Sequence, residues 1–203
     1  GFKVCMPATV YDAKGMLKAA IRDDNPVVFI ENRVLFYEEE EVPEGEWEII
    51  RIGYTPTGEK NRNASEAGRG LECDKLDARF VEAFFNGMPK EIIKENRDLA
   101  GKSFTHILHE SWEAQCQNWT DLLPEEFKAR RGYNITPYLP VLCGQVVGST
   151  EISERFLYDF RKTIAELIKD NYYAKLNRLC ESYGMKFMAE ASGAQQLFFD
   201  PIN

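Results

Sequence analysis

The order of elements predicts an α/β fold built on parallel strands. Residues 2–30 read as strand, helix and strand within about thirty residues, the length of a βαβ unit. Further on, β-like runs at 104–108 and 186–189 are separated by helical patterns, the clearest of them over 153–183. Strands alternating with helices point to a parallel sheet or barrel with sites at the C-terminal ends of its strands. The 203 residues, 44% of them hydrophobic, suit one large domain or two small ones.

Residues 2–7 form a short apolar run suited to a buried strand. Over 11–22, Ala13, Met16, Leu17, Ala20 and Ile21 recur at helical spacing, with Thr9 as N-cap. Asp23-Asp24-Asn25-Pro26 stops that helix, because proline disfavours a helical residue before it. Residues 27–30 are β-branched and aromatic, a second buried strand. The acidic stretch 38–41, followed by Val42-Pro43-Glu44-Gly45, reads as a solvated linker. Residues 49–54 predict a strand ending in Thr55-Pro-Thr-Gly58, and 59–70 a polar exposed loop long enough to be functional.

Over 77–96, Phe80, Val81, Phe84, Phe85, Ile92 and Ile93 mark a helical stripe, interrupted near Gly87-Met-Pro89. Residues 124–131 predict a short helix, and Pro137 and Pro140 punctuate the segment after it. In the long helix, Phe156, Phe160, Ile164, Leu167, Ile168, Tyr172, Leu176 and Leu179 recur at threes and fours. Ser153 is its expected cap, and Gly184 its C′ residue.

A net charge of -8 argues against a nucleic-acid partner or an anionic membrane surface. No stretch approaches the roughly 20 apolar residues of a membrane span. The chain opens at Gly1 and enters a strand directly, with no signal peptide, as a fragment does. The five cysteines (Cys5, Cys73, Cys116, Cys143, Cys180) are dispersed and lack CxxC spacing, so buried apolar roles are expected rather than zinc or disulfides. Sequons occur at Asn63, Asn118 and Asn134, a pattern that also arises often by chance.

The densest chemistry comes after residues 104–108, where His109, Glu110, Trp112, Glu113, Gln117, Asn118 and Trp119 cluster. Aromatic faces stack on sugar rings and amides bind hydroxyls. A carboxylic acid beside an indole keeps a raised pKa, as protonation of a glycosidic oxygen requires. The alternative is that both tryptophans anchor a core and Glu113 is a solvated charge. Glu72, Asp74 and Glu190 form similar acidic strand ends; together they would line one barrel mouth, and singly each also suits a cap or surface position. His106 and His109 lie on opposite faces of a strand, so a shared metal is not expected. No nucleotide phosphate loop occurs.

From about residue 48 to 203 the chain resembles glycoside hydrolase family 106, the α-L-rhamnosidases. The match rests on Arg51-Ile-Gly-Tyr-Thr-Pro-Thr-Gly58, Gly70-Leu-Glu-Cys-Asp-Lys-Leu76, Ser111-Trp-Glu113 with Gln117-Asn-Trp-Thr120, and Phe127-Lys-Ala-Arg-Arg-Gly-Tyr133. It continues through Pro137-Tyr-Leu-Pro-Val-Leu142, residues 146–157 and Ala189-Glu-Ala-Ser-Gly193. The resemblance implies a partial (β/α)8 barrel, an inverting mechanism, a calcium ion and a rhamnose-containing oligo- or polysaccharide substrate. It makes Glu113 the general acid and Trp112, Trp119, Asn118, Glu110, Glu72, Asp74 and Glu190 substrate-binding. Glu110 stands where the family usually has Asp, and Cys116 replaces a small residue. The water-activating carboxylate is expected beyond Asn203, which would leave the isolated chain inactive.

Residues 1–47 resemble the β subunit of the thiamine-dependent component of 2-oxo acid dehydrogenases. Gly1-Phe-Lys-Val, Tyr11-Asp-Ala-Lys-Gly15, Ala19-Ala-Ile-Arg-Asp-Asp-Asn-Pro-Val-Val28 and Glu41-Val-Pro-Glu-Gly45 carry that match. It implies a βαβ fragment of a transketolase-like pyrimidine-binding domain, with a potassium loop at Ala20, Ile21, Asp23 and Asn25. A plain helix-terminating turn describes the same residues. Thiamine diphosphate belongs to this reading, although the family's thiamine-contacting glutamate would lie upstream of Gly1. The simplest account of the join, between Val42 and Arg51, is a spliced or misassembled reading frame, a chimera. A non-catalytic sugar-binding or structural chain is the remaining alternative. Unpaired barrel edges would favour oligomers or aggregates. Rhamnosidase relatives are exported and dehydrogenase relatives intracellular, so the two ends disagree on compartment.

Overall fold

The computed structural model describes residues 3–30, 37–39, 50–61, 64–110 and 117–190. The chain is a mixed α/β structure that divides into two units, Gly1–Ile52 and Gly53–Asn203.

In the first unit, β1 (Lys3–Cys5) and β2 (Val27–Phe29) pair in parallel, Lys3 opposite Val27 through Cys5 opposite Phe29. The crossover is α1 (Val10–Arg22), capped by Thr9, whose hydroxyl accepts the Asp12 N–H at 3.0 Å. The predicted βαβ unit forms, but its strands are not buried. Val4 is 66% exposed and α1 has no buried residue. Two strands under one helix have too little partner surface to enclose either face.

The second unit holds the core. α2 (Ala78–Gly87) begins at Asp77, whose carboxylate accepts the Arg79 N–H at 2.9 Å and binds its guanidinium Nη2 at 2.6 Å. Pro89 opens α3 (Pro89–Glu95), its ring preset for a first helical turn. The buried stripe is narrower than the sequence predicts: Val81, Phe85 and Ile93 face inward, whereas Phe80, Phe84 and Ile92 are exposed.

β3 (His106–His109) lies parallel to β4 (Lys186–Ala189), His106 opposite Lys186 through His109 opposite Ala189. α4 (Leu123–Arg131) ends at Gly132 with φ +83°, and a 3-10 segment, Thr136–Cys143, comes next. α5 (Thr150–Leu167), a π-helical segment (Ile168–Tyr173) and α6 (Ala174–Glu181) form one continuous helical run. The Gly184 N–H binds the Glu181 carbonyl and the Met185 N–H the Cys180 carbonyl, which closes that run with glycine at φ +70°.

The cap of α5 is Ser149, not Ser153. Ser149 accepts the Ile152 N–H at 3.2 Å, directly after Gly148 turns the chain with φ +71°. Ser153 sits one turn inside, where its hydroxyl both accepts the Val147 N–H and donates to the Val147 carbonyl. Residues 50–54, expected as a strand, pair with no neighbour; the nearest ladder contact is a single bridge of Lys60 to Leu71.

Leu76, Leu123, Phe127, Phe156, Leu167 and Met185 are fully enclosed. Phe127 meets Tyr133 edge-on at 4.9 Å, and Tyr138 stacks on Phe156 at 5.4 Å, so aromatic pairs fix α4, the 3-10 segment and α5 together. Arg131 binds Glu166 and Thr163 across the same contact. Of the cysteines, only Cys180 is buried among those described; Cys5 and Cys73 are half-buried and Cys143 is exposed.

Candidate functional site

Two loops build a cleft of about 530 Å³ in the second unit, residues 53–59 and 71–75 on one side and 117–121 on the other. Asp74 joins them. Its Oδ1 accepts the Leu76 N–H at 2.9 Å and a bond from Gln117 Nε2, while Oδ2 accepts the Thr120 hydroxyl at 2.6 Å. Gln117 completes the link by accepting the Lys75 N–H at 3.0 Å. Asp74 therefore stands in the cleft wall with both oxygens engaged.

The aromatic part of the cleft is Trp119 and Tyr54, ring centroids 5.8 Å apart and tilted by 32°. Tyr54 donates its hydroxyl to Asp121, whose carboxylate holds the phenol above its ordinary pKa. Phe80 adds a third, exposed ring, and Asn118 is exposed beside Trp119. Glu72 is bound to the Lys75 ammonium at 2.7 Å. Burial pushes the Cys73 thiol up, which disfavours a thiolate nucleophile there.

Of the predicted site residues, Glu72, Asp74, Asn118 and Trp119 thus share one cleft. Glu72 and Asp74 do not stand at a strand end as expected; they come after the isolated Lys60–Leu71 bridge, in a loop. Glu110 and Glu190 are exposed at the C-terminal ends of β3 and β4, and the Glu190 N–H binds the His109 carbonyl at 2.9 Å, which continues the ladder. Strand alternation sets both on the face that carries Leu108 and Met188. Trp112 and Glu113 lie outside the described residues.

On the opposite face of β3, His109 is enclosed by the edges of Tyr172 and Tyr173, centroids 5.4 and 5.9 Å away. Burial lowers its pKa, with the nearby Lys75 charge adding to the effect. Its Nδ1 and the Tyr173 hydroxyl are buried without a hydrogen-bond partner. Sequence reasoning missed Tyr54, Asp121 and Phe80. The Tyr54-Thr-Pro sequence was the only signal for the first, because nothing in spacing joins residue 54 to 119.

Among the described residues no group of three or more His, Cys, Asp or Glu side chains converges on a point. The described donors do not form a calcium cage. In the first unit, Asp23 binds the Lys3 ammonium at 2.5 Å and the Asn25 N–H at 2.9 Å, and the Ala20 carbonyl accepts the Asp23 N–H at 3.4 Å. These bonds hold the Asp23 carboxyl down at about 2, the Lys3 bond first. Ala20, Ile21, Asp23 and Asn25 thus close a helix-terminating turn whose carboxylate is already neutralised.

Comparison with known proteins adds the lineage. Residues 37–201 match the sequence model of glycoside hydrolase family 106, described as alpha-L-rhamnosidase. The chain belongs to this family. The family match begins at residue 37, ahead of the expected start at 48. A protein of Formosa agariphila named putative beta-glucuronidase is 45% identical over 149 residues, 73% of this chain and 13% of that protein. The structure of a rhamnosidase from Novosphingobium sp. PP1Y superposes with a TM-score of 0.61 at 34% identity, covering 65% of this chain and 13% of that one. This family member therefore spans about an eighth of the length of those relatives. Part of the chain is also similar to the pyruvate dehydrogenase E1 component subunit beta of Rhizobium meliloti, 39% identical over 93 residues, 46% of this chain and 20% of that protein. No described helix is long and apolar enough to cross a membrane.

Proposed function

We propose that this chain is a piece of an α-L-rhamnosidase that hydrolyses terminal rhamnosyl linkages of oligo- or polysaccharides with inversion, Glu113 acting as general acid. The observation that carries the reading is the Tyr54–Trp119 pair beside Asn118 and Asp121 in one cleft, within a chain of the rhamnosidase family. Apolar ring faces with a few convergent polar groups suit a pyranose. The β3–β4 pair supports a partial (β/α)8 barrel. Ile107, Phe187 and His109 turn toward the helices, whereas Leu108 and Met188 stay 53% and 50% exposed, as inner-wall residues of an incomplete ring would. Glu110 and Glu190 then point to the barrel mouth. Calcium belongs to the same reading, although the described donors do not hold it, and no step is routed through it.

Cleavage of an aryl α-L-rhamnoside, with calcium and with a chelator, tests this together with calorimetric binding of methyl α-L-rhamnoside. In an active rhamnosidase that contains this segment, Glu113→Gln is expected to lower turnover by about 10²-fold or more, the usual contribution of a general acid. Trp119→Ala is expected to weaken sugar binding about tenfold. Turnover indifferent to Glu113→Gln would remove that residue from the acid's role, and absence of both binding and turnover would end the reading for this chain.

The similarity to the pyruvate dehydrogenase β subunit and the parallel β1–β2 crossover favour a second reading for the first unit, a fragment of a thiamine diphosphate enzyme joined to the hydrolase piece. Calorimetric binding of thiamine diphosphate tests it.

A further inference from the structure

Resting on the sugar-binding reading, we propose that the Tyr54–Trp119 cleft selects uncharged saccharides and rejects those that carry a carboxylate beside the rhamnosyl residue. The charged side chains along its described lining are Glu59, Glu72, Asp74, Asp121 and Lys75, so four acids stand against one base. That base is not available to an incoming anion. Lys75 is 5% exposed, holds Glu72 at 2.7 Å and lies over the Tyr172 ring at 5.8 Å. Arg79 stands close enough to Asp74 and Asp121 for charge interaction, but its guanidinium is bound to Asp77 at 2.6 Å.

Recognition of a carboxylate ordinarily uses a guanidinium fork or an ammonium. Here four of the five charged side chains along the cleft are carboxylates, and a carboxylate only accepts hydrogen bonds. Sugar hydroxyls donate to such groups. A uronate would instead set acceptor against acceptor and add like-charge repulsion. The Tyr54 and Trp119 faces contribute apolar contact that does not depend on charge. Repulsion between exposed charges is screened within about 10 Å at 0.1 M salt, whereas stacking is not. Selection by charge therefore carries a signature that selection by shape lacks: it fades as salt rises.

Two disaccharides differing only at one carbon test this, α-L-rhamnosyl-glucose and α-L-rhamnosyl-glucuronate, titrated calorimetrically into the chain at about 0.02 M and about 0.5 M salt. The neutral sugar is expected to bind about tenfold tighter at low salt, with the ratio falling toward unity at high salt. Asp121→Asn removes a charge but keeps an acceptor for the Tyr54 hydroxyl, and is expected to narrow the low-salt ratio about threefold. Glu59→Gln provides a second variant should the first alter the fold, judged by circular dichroism. Equal or tighter binding of the glucuronate at low salt overturns the proposal, as does a ratio unmoved by salt and by both substitutions. Binding of neither sugar overturns the sugar-site reading itself, an outcome distinct from uronate acceptance.

Discussion

Asp74 lines the cleft and also holds it together. In sequence it is an acid beside a glutamate after a polar loop; in the structure it accepts from Leu76, Gln117 and Thr120 and fastens two loops together. Hydrogen bonds to charged acceptors contribute about 1.5–3 kcal/mol each, and not additively. Asp74→Ala is thus expected to lower unfolding free energy by about 3 kcal/mol in urea titration, with sugar binding lost only as the fold is lost. His109 offers a pH test. Its folded pKa is depressed below the ordinary value of about 6.5, so the unfolded chain binds the extra proton first. Stability is therefore full above pH about 6.5 and declines as pH falls through the window down to the folded pKa. His109→Phe should remove that part of the pH slope, measured by denaturant midpoints between pH about 5 and about 8. The burial of His109 was legible only as a face: alternation separates it from His106, but the tyrosine pair enclosing it comes from residues more than sixty positions away.

Periodicity read the elements well where an apolar stripe was continuous. The interruption at Gly87-Met-Pro89, the helix over 124–131 and the glycine stop at Gly184 were all legible, because each rests on local backbone chemistry. The start of α5 was not. Its first turn carries one apolar residue, the exposed Ile152, so apolar spacing began the helix at Ser153, while the chain enters through Gly148 and Ser149. Ser149→Ala is expected to cost about 1 kcal/mol, the usual loss of an N-cap, in chemical denaturation. Ser153→Ala acts differently, since it removes both bonds to Val147 rather than a cap. Within the strand expected over 49–54, the described residues 50–54 form none for a related reason. β-branched residues suit a strand only with a ladder to join, and Tyr54 instead turns its ring to Trp119.

At the scale of the molecule, the large enclosed hydrophobic side chains among the described residues belong to Gly53–Asn203, and in Gly1–Ile52 only Pro7 among them is buried. Amide hydrogen exchange should reflect that inequality. The β1–β2 amides, such as those of Lys3 and Ile30, are expected to exchange near local-opening rates, whereas amides of Phe156 to Leu167 approach global protection. Equal protection in the two units would contradict this. The cleft was legible only in halves: Glu72, Asp74, Asn118 and Trp119 stood out as chemistry, but their meeting depends on Gln117 bridging 43 positions to Asp74, a distance no spacing rule spans. The π-helical segment adds a historical dimension. A widened turn of this kind is what a single inserted residue leaves behind, and it aims both Tyr172 and Tyr173 at the same imidazole. Excising one residue there would restore an ordinary spiral and leave Leu176 and Cys180 facing the interior, because the widened turn absorbs the extra residue, but it would break the joint presentation of Tyr172 and Tyr173. The length of this stretch thus governs the setting of the imidazole, while the core on either side of it keeps its phase.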